Sequence, residues 1–150
     1  MLSSQLIDLM PTAFRPDLGI LVSRWTRQPL SATLLAPIYE ELAIIAGQHQ
    51  ACYWLQDIRH RESNDPDITR WLLATYFPAV ASQLGGRLHV AYLANPTLLE
   101  AITSAPNFAL PAAYRDSPYV VAFFSAEGEA YAWLTQARAQ DAAGRAASLG

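Results

Sequence analysis

The sequence predicts an α/β fold in which a single open, mixed and mostly parallel β-sheet is covered by helices. Short apolar stretches rich in β-branched and aromatic residues alternate along the chain with segments of helical periodicity. The later strands are separated by helices, the usual connection between parallel strands. Four strands are predicted in one sheet: Ile20–Trp25, Ala51–Asp57, Leu88–Leu93 and Tyr119–Ser125. A brief antiparallel strand near Thr12–Arg15 can precede them.

The helix after the second of these strands is organised around Asp65 and Pro66. An aspartate can accept a hydrogen bond as N-cap, and a proline at the first helical position needs no N–H partner. The helix is expected to run to Leu84. Its apolar stripe at three- and four-residue steps is Ile68, Trp71, Leu72, Thr75, Tyr76, Ala79 and Val80, and this stripe is predicted to face a core.

Three further helices are predicted. Ser31 can cap the first of them, and Gly47 is expected to end it. Thr97 and Glu100 have the spacing of a capping box at the start of a short helix. The last helix is predicted over Ala126–Arg138. The apolar faces of the first and last helices are Leu35, Ile38, Tyr39, Leu42, Ile45 and Ala46, and Ala130, Trp133, Leu134 and Ala137.

Composition predicts one domain over residues 1–150, with a core at about 12–138 and a tail at 139–150 that frays. A hydrophobic fraction of 52% and a charged fraction of 15% are typical of a folded protein. The net charge of −3 does not favour nucleic-acid binding. The apolar runs are far shorter than the roughly 20 residues that span a bilayer, so a cytoplasmic protein without membrane insertion is expected.

The residue types restrict the available chemistry. All 10 basic residues are arginine, which excludes Schiff-base chemistry and a lysine-containing phosphate loop. Cys52 is the only cysteine, so no internal disulfide or thiolate zinc site can form, and an inert packing role is expected. His49, His60 and His89 are scattered, and neither a metal nor a cofactor is expected.

The candidate site is the charged loop that follows the strand Ala51–Asp57, because ligands of open α/β sheets bind beyond the carboxyl ends of the strands. Its candidate residues for binding a ligand or partner are Asp57, Arg59, His60 and Arg61. Two guanidinium groups beside a helix N-terminus suit a carboxylate or phosphate. The alternative is a local ion-pair cluster of the arginines with Asp57, Glu62, Asp65 and Asp67. Asp57 is expected to fix the loop by accepting backbone N–H bonds rather than to catalyse.

No catalytic pattern is evident. His60 has no suitably spaced serine, cysteine or acid with which to form a recognisable triad, and the common enzyme motifs are missing, so no enzyme activity is expected. The larger aromatic side chains admit two interpretations, an apolar pocket or a core, and the core is the commoner use. These residues are Trp54, Trp71, Tyr76 and Trp133.

Two groups of residues carry a resemblance to a known family. The first is Phe123-Phe124-Ser125-Ala126-Glu127-Gly128-Glu129-Ala130-Tyr131-Ala132-Trp133-Leu134, and the second is Trp54-Leu55-x-Asp57-x-Arg59-x-Arg61 with Trp71-Leu72 and Phe77-Pro78. They resemble STAS-like domains, the family of the anti-sigma-factor antagonists, and in particular a group of STAS-like proteins from Bacteroidetes. The resemblance implies an α/β fold, and binding rather than catalysis. Arg59 stands where the antagonists carry a phosphorylated serine, so no phosphoswitch is expected, and Ser63 is only a weak candidate.

Two functional hypotheses follow. The first is a non-catalytic, STAS-like protein-interaction module of regulatory or signalling type, with an unidentified protein partner and a possible homodimer. The alternative is a protein that binds a small anionic or apolar molecule, or an enzyme, with its pocket at the loop 57–65. A deep cavity opening at this loop would favour the alternative, whereas a filled core with a flat apolar patch would favour the interaction module.

Overall fold

The computed structural model describes residues 10–26, 32–61, 66–105 and 108–149. In this part of the chain, five strands form one sheet: β1 (Thr12–Arg15), β2 (Ile20–Arg24), β3 (Tyr53–Asp57), β4 (Leu88–Leu93) and β5 (Tyr119–Phe124). Their order in the sheet is their order in the chain. β1 is antiparallel to β2, and all later neighbours are parallel. The predicted fold class, a mixed and mostly parallel sheet, is therefore confirmed.

The described helices are α1 (Ala32–His49), α2 (the continuous segments Pro66–Trp71, Leu72–Tyr76 and Phe77–Leu84), α3 (Pro96–Thr103) and α4 (Glu127–Leu149). A 3₁₀ turn at Pro111–Tyr114 precedes β5. Crossovers between parallel strands are right-handed, and the strand order never reverses, so α1, α2 and α3 lie on the same face of the sheet. α4 covers the opposite face. No described helix is both long enough and apolar enough to cross a membrane.

The sheet therefore has a core on each side. Trp54 points from β3 into the larger core, which lies under α1, α2 and α3. Tyr53 and Leu55 alternate with it and point into the smaller core under α4. Every residue of β3 is buried, as expected of a central parallel strand that is covered on both faces.

α2 contains a π turn at Leu72–Tyr76, where the N–H of Phe77 bonds the carbonyl oxygen of Leu72. The turn lies next to Pro78, which has no N–H and whose ring crowds the carbonyl of the preceding turn. Widening the helix by one residue is a known response to such a disturbance. A π turn also shifts all later residues around the helix axis.

This shift corrects the predicted stripe of α2. Ile68, Leu72, Tyr76 and Val80 are buried as expected. Thr75 and Ala79 are exposed, and Phe77 and Ala81 are buried in their place. The prediction assumed an unbroken helical period, and the extra residue in the π turn displaces the buried face by one position.

Three predicted helix ends are also corrected. α1 passes through Gly47 and ends at His49, because the left-handed position after the helix is taken by Gln50, whose φ is 51°. The side chain of Asn95, not Thr97 with Glu100, caps α3 by accepting the N–H of Leu98 at 2.8 Å. Pro96 then takes the first helical position.

The third correction concerns the end of the chain. α4 extends to Leu149, so the backbone expected to fray from 139 is helical. Asp141 contacts the sheet, since the Tyr53 hydroxyl donates to its carboxylate at 2.5 Å. The predicted caps Ser31 and Asp65 lie outside the described residues.

Candidate functional site

Four charged side chains meet at the carboxyl edge of the sheet. Arg24 ends β2 and Asp57 ends β3, and the parallel register places the two residues side by side. Arg59 follows Asp57 by two residues, and Glu127 begins α4 on the same face. We name Arg24, Asp57, Arg59 and Glu127 the ion cluster. Two positive and two negative groups balance within it.

Asp57 is the centre of the ion cluster. Its Oδ2 accepts from Arg24 Nη1 at 2.8 Å and from Arg59 Nη2 at 2.8 Å. Its Oδ1 accepts from Arg59 Nε at 3.0 Å and from the Arg59 backbone N–H at 3.1 Å. Arg24 also donates to Glu127 at 2.7 Å. The expectation that Asp57 fixes the loop through a backbone N–H agrees with this geometry.

The ion cluster keeps Asp57 ionised. Burial alone would raise the pKa of this carboxyl, which is only 5% exposed. The hydrogen bonds from Arg59 and Arg24 outweigh burial and hold the pKa below its ordinary value. A carboxylate with both oxygens occupied by donors is poorly suited to proton transfer, so the geometry fits a structural role.

The other two predicted site residues lie apart from the ion cluster. His60 is exposed on the turn after β3. Arg61 turns towards the opposite face of the sheet, where its guanidinium lies 5.5 Å from the centroid of the Trp25 ring. The amide of Asn95 fixes the turn by donating to the carbonyl oxygens of Arg59 at 2.9 Å and Arg61 at 3.3 Å. Glu62, Ser63 and Asp65 lie outside the described residues.

Arg61 lines a cavity of about 410 Å³ between the sheet, α2, α3 and the connection to β5. The lining is mostly apolar, and Arg61 is the only charged side chain among the described residues that form it. These residues are Tyr39, Ile58, Arg61, Pro66, Ile68, Thr69, Leu72, Leu73, Phe77, Tyr92, Thr97, Leu98, Ala101, Ile102, Ala105, Phe108, Ala109, Tyr114, Val121 and Phe123.

The cavity follows from the short crossover between β4 and β5. α3 has 8 residues and is therefore about 12 Å long. β5 has 6 residues and spans about 20 Å. The helix cannot cover the whole strand, and the described residues between it and the turn at Pro111–Tyr114 form neither a helix nor a strand. Space therefore remains between α2 and β5.

The cavity extends along the strands. Arg61 and Thr97 lie at the carboxyl edge of the sheet. Phe77 and Tyr114 lie towards the amino edge, since the ring of each is 5.5 Å from that of Tyr119, the first residue of β5. The cavity thus has a charged end and an apolar end.

Two tyrosines lie near Arg61 in the cavity lining. The hydroxyl oxygens of Tyr39 and Tyr92 are 2.8 Å apart and share a hydrogen bond. Burial raises the pKa of Tyr39, and the positive charge of Arg61 opposes this rise in part. The hydroxyl of Tyr76 donates to the backbone carbonyl of Tyr39, which ties α2 to α1 at this point.

The aromatic residues singled out in the sequence are not the ones that line the cavity. Trp54 and Tyr76 are buried in the larger core. Trp71 packs partly buried against that core, and Trp133 packs against the smaller one. The cavity takes its aromatic lining from Tyr39, Phe77, Tyr92, Phe108, Tyr114 and Phe123.

The histidines and the cysteine lie elsewhere. His49 stacks on Phe14 with 4.6 Å between ring centroids, and His89 stacks on Tyr53 at 5.4 Å. Cys52 is half-buried beside the smaller core. Within the described ranges, no group of three or more His, Cys, Asp or Glu side chains could hold a metal ion.

Sequence reasoning missed Arg24, Glu127, Tyr39 and Tyr92. A signal existed for Arg24, because the carboxyl ends of neighbouring parallel strands meet at one edge and Arg24 ends the strand beside β3. Glu127 belongs to the motif that carries the STAS-like resemblance. The two tyrosines lie on predicted apolar elements, where nothing distinguishes a cavity lining from a core.

Comparison of the chain with protein-family models, with curated proteins and with solved structures found no match. The functional argument therefore depends on the geometry of the cavity and the ion cluster.

Proposed function

We propose that this chain is a non-catalytic, STAS-like regulatory module that binds a small apolar molecule in the cavity beside the loop after β3. The single observation that carries the proposal is the cavity itself, about 410 Å³ in volume and lined by Ile58 and Arg61 from the segment after β3. A deep cavity at this loop is the feature that separates a ligand-binding protein from a module with a filled core.

The size and lining of the cavity support a ligand rather than a packing defect. Ligand pockets typically measure about 300–1,000 Å³ and combine apolar walls with a few polar groups. Voids in protein cores are usually no larger than a water molecule. Here apolar side chains from α2, α3, β4 and β5 surround the space, and Arg61 with two tyrosine hydroxyls supplies its polar end.

The ion cluster supports a binding function without catalysis. Asp57 is engaged by Arg24 and Arg59, and Arg24 is also paired with Glu127. These contacts hold the ends of β2 and β3 and the start of α4 together. They therefore fix the edge of the sheet from which the turn carrying Arg61 departs.

The proposal is tested by filling the cavity. Ile102→Trp enlarges a lining side chain of α3, and Ile44→Trp makes the same change on α1, at an isoleucine that is 56% exposed. Native mass spectrometry of the purified protein should show a co-purifying small molecule. Binding of a neutral apolar dye should be lost in Ile102→Trp and kept in Ile44→Trp.

A wild-type protein that carries no small molecule and binds no apolar dye would contradict the proposal. Methyl chemical shifts of the wild type, recorded with and without the dye, provide a second test that needs no variant. The dye should shift the methyl signals of Ile58, Leu98 and Ile102 more than that of Ile44.

A protein-interaction module is the second candidate. Leu110 favours it, because this side chain is 66% exposed and lies in the connection that follows the cavity-lining residues Phe108 and Ala109. An exposed leucine there could contact a partner or a second copy of the chain. Sedimentation over a range of concentrations should show self-association of the wild type that Leu110→Ser abolishes, if the module is a homodimer.

A further inference from the structure

Hydrogen-bond donors are concentrated at one end of the cavity. Arg61 places a guanidinium there, a group with five N–H donors and no acceptor. The Trp25 ring, 5.5 Å from the guanidinium, favours its position without neutralising its charge. The ion pairs found within the described ranges do not include Arg61.

The tyrosine pair adds a further donor. Tyr39 and Tyr92 have two hydroxyl protons but share one hydrogen bond, of 2.8 Å. Nothing in the described part of the chain accepts the second proton. The guanidinium of Arg61 and the spare hydroxyl proton therefore give the described lining at this end two donor groups that a carboxylate can accept from.

The other end of the cavity is apolar. Phe77 and Val121 line it from α2 and β5, and the ring of Tyr114 lies beside the first residue of β5. Such walls favour a hydrocarbon or aromatic body, since burial of apolar surface stabilises the complex in proportion to the area removed from water.

We infer that the cavity binds a carboxylate-bearing amphiphile, with its anionic group against Arg61 and the hydroxyls of Tyr39 and Tyr92, and its apolar body against Phe77, Tyr114 and Val121. This inference rests on the proposed function and specifies the chemical class of the ligand. The carboxylate accepts from the guanidinium and from the spare tyrosine proton, and no covalent step is involved.

The experiment compares three probes with the same alkyl chain, decanoate, 1-decanol and decylamine, each below its aggregation concentration. Dissociation constants are measured by calorimetry at about pH 7.5 for the wild type, Arg61→Gln and Arg70→Gln. Arg70 is the matched control, because it lies on α2 with 74% of its side chain exposed and contacts only Asp67 among the described ion pairs.

The wild type should bind decanoate roughly 10- to 100-fold more tightly than 1-decanol, the scale of a charge-assisted hydrogen bond. Decylamine should bind most weakly. Arg61→Gln should bring the acid and the alcohol to similar affinity, whereas Arg70→Gln should keep the wild-type preference.

The failures of the inference and of the proposed function are distinguishable. Equal binding of decanoate and 1-decanol by the wild type would overturn the inference while leaving the cavity a ligand site. The same result is expected if an acidic side chain of the chain itself neutralises Arg61. No binding of any probe would overturn both. The preference of the wild type among the probes decides the matter even if Arg61→Gln fails to fold.

Discussion

The hydroxyl of Tyr119 donates a hydrogen bond to the backbone carbonyl of Leu73, 2.7 Å away. Within α2 that carbonyl has lost its usual partner, because the N–H of Phe77 bonds Leu72 across the π turn. The next residue, Pro78, has no N–H to offer. A side chain at the start of β5 thus satisfies a backbone group that the helix leaves unpaired, next to the cavity wall.

We expect Tyr119→Phe to lower the free energy of unfolding by about 1 kcal/mol, the usual net value of one hydrogen bond. Urea denaturation measures the change. Tyr114→Phe is the control, because the partly buried Tyr114 ring lies 5.5 Å from that of Tyr119 and its hydroxyl has no hydrogen bond within the described ranges. A larger loss in Tyr114→Phe than in Tyr119→Phe would contradict the assignment.

The hydrogen bond from Tyr119 to the Leu73 carbonyl should depend on Pro78. Pro78→Ala restores an N–H, so the Leu73 carbonyl gains an alternative donor in α2. Tyr119→Phe should then cost less in the Pro78→Ala background than in the wild type. A double-mutant cycle should give a coupling free energy of at least about 0.5 kcal/mol. Strict additivity would show that the hydroxyl and the proline are unrelated.

Asp57→Asn should lower the free energy of unfolding by about 2 kcal/mol at neutral pH, because it weakens charge-assisted hydrogen bonds to Arg24 and Arg59. The figure is modest since both arginines are more than 40% exposed, at 45% and 43%. The exposed pair Arg15–Asp17 gives the control, and Asp17→Asn should change stability by less than about 0.5 kcal/mol.

The same contribution should depend on pH. The pKa of Asp57 is lower in the folded protein than the value of about 3.9 in unfolded chains. The stabilisation is therefore complete above about pH 5 and is lost as the pH falls through the folded pKa. The wild type and Asp57→Asn should converge in stability on acidification, and a constant difference down to about pH 2 would contradict this origin.

His89 should contribute a second pH dependence. Burial lowers the pKa of His89, and the carboxylate of Asp141, 3.8 Å away, offsets this only in part, while Arg87 adds to the lowering. As the pH falls, His89 is therefore protonated in the unfolded chain at a higher pH than in the folded protein. The free energy of unfolding should fall as the pH drops through about 6.5. His89→Phe keeps a ring beside Tyr53 and should flatten the slope between about pH 7.5 and 5.5.

The control for that measurement is His60→Phe, which removes an exposed histidine of the turn after β3. Denaturation midpoints of this variant should follow the wild-type slope. If His60→Phe flattens the slope and His89→Phe does not, the buried histidine is not its source.

Phe77→Ala should lower the free energy of unfolding by about 3–5 kcal/mol, and Trp71→Ala should lower it by less. The order follows from burial, because Trp71 is half-buried at the rim of the larger core whereas Phe77 is 1% exposed. Equilibrium denaturation of the two variants under one condition tests the ranking. A greater loss for Trp71→Ala would mean that its contacts with Tyr39 and Tyr76 outweigh full burial.

The strands and their parallel arrangement could be predicted because they depend on local patterns. The run from Tyr119 to Phe124 is apolar throughout, and β3 and β4 are each followed by a segment of helical periodicity. The phase of α2 could not be predicted in the same way. The π turn at Leu72–Tyr76 lies next to Pro78. Because of this wider turn, Phe77 and Ala81 are buried where an unbroken helical period predicts Thr75 and Ala79.

The candidate site was predicted in part. Asp57 lies at the end of β3 and Arg59 in the turn after it, and their ion pair agrees with the alternative of a local cluster. The partners Arg24 and Glu127 are distant in sequence, and they meet Asp57 only through the strand register and the position of α4. The cavity had no sequence signal, because apolar patterns show which residues avoid water but not which spaces they leave unfilled.

The strand order has a consequence for the newly made chain. Each strand from β2 to β5 pairs with the one before it, so the sheet can grow in the direction of synthesis on the ribosome. The face that carries Ile20, Leu55 and Ala91 is covered by α4, which emerges after all five strands. Until then that face is exposed to other nascent chains and to chaperones. Ribosome-bound chains should therefore bind chaperones or aggregate most readily just before Glu127 to Ala137 leave the exit tunnel.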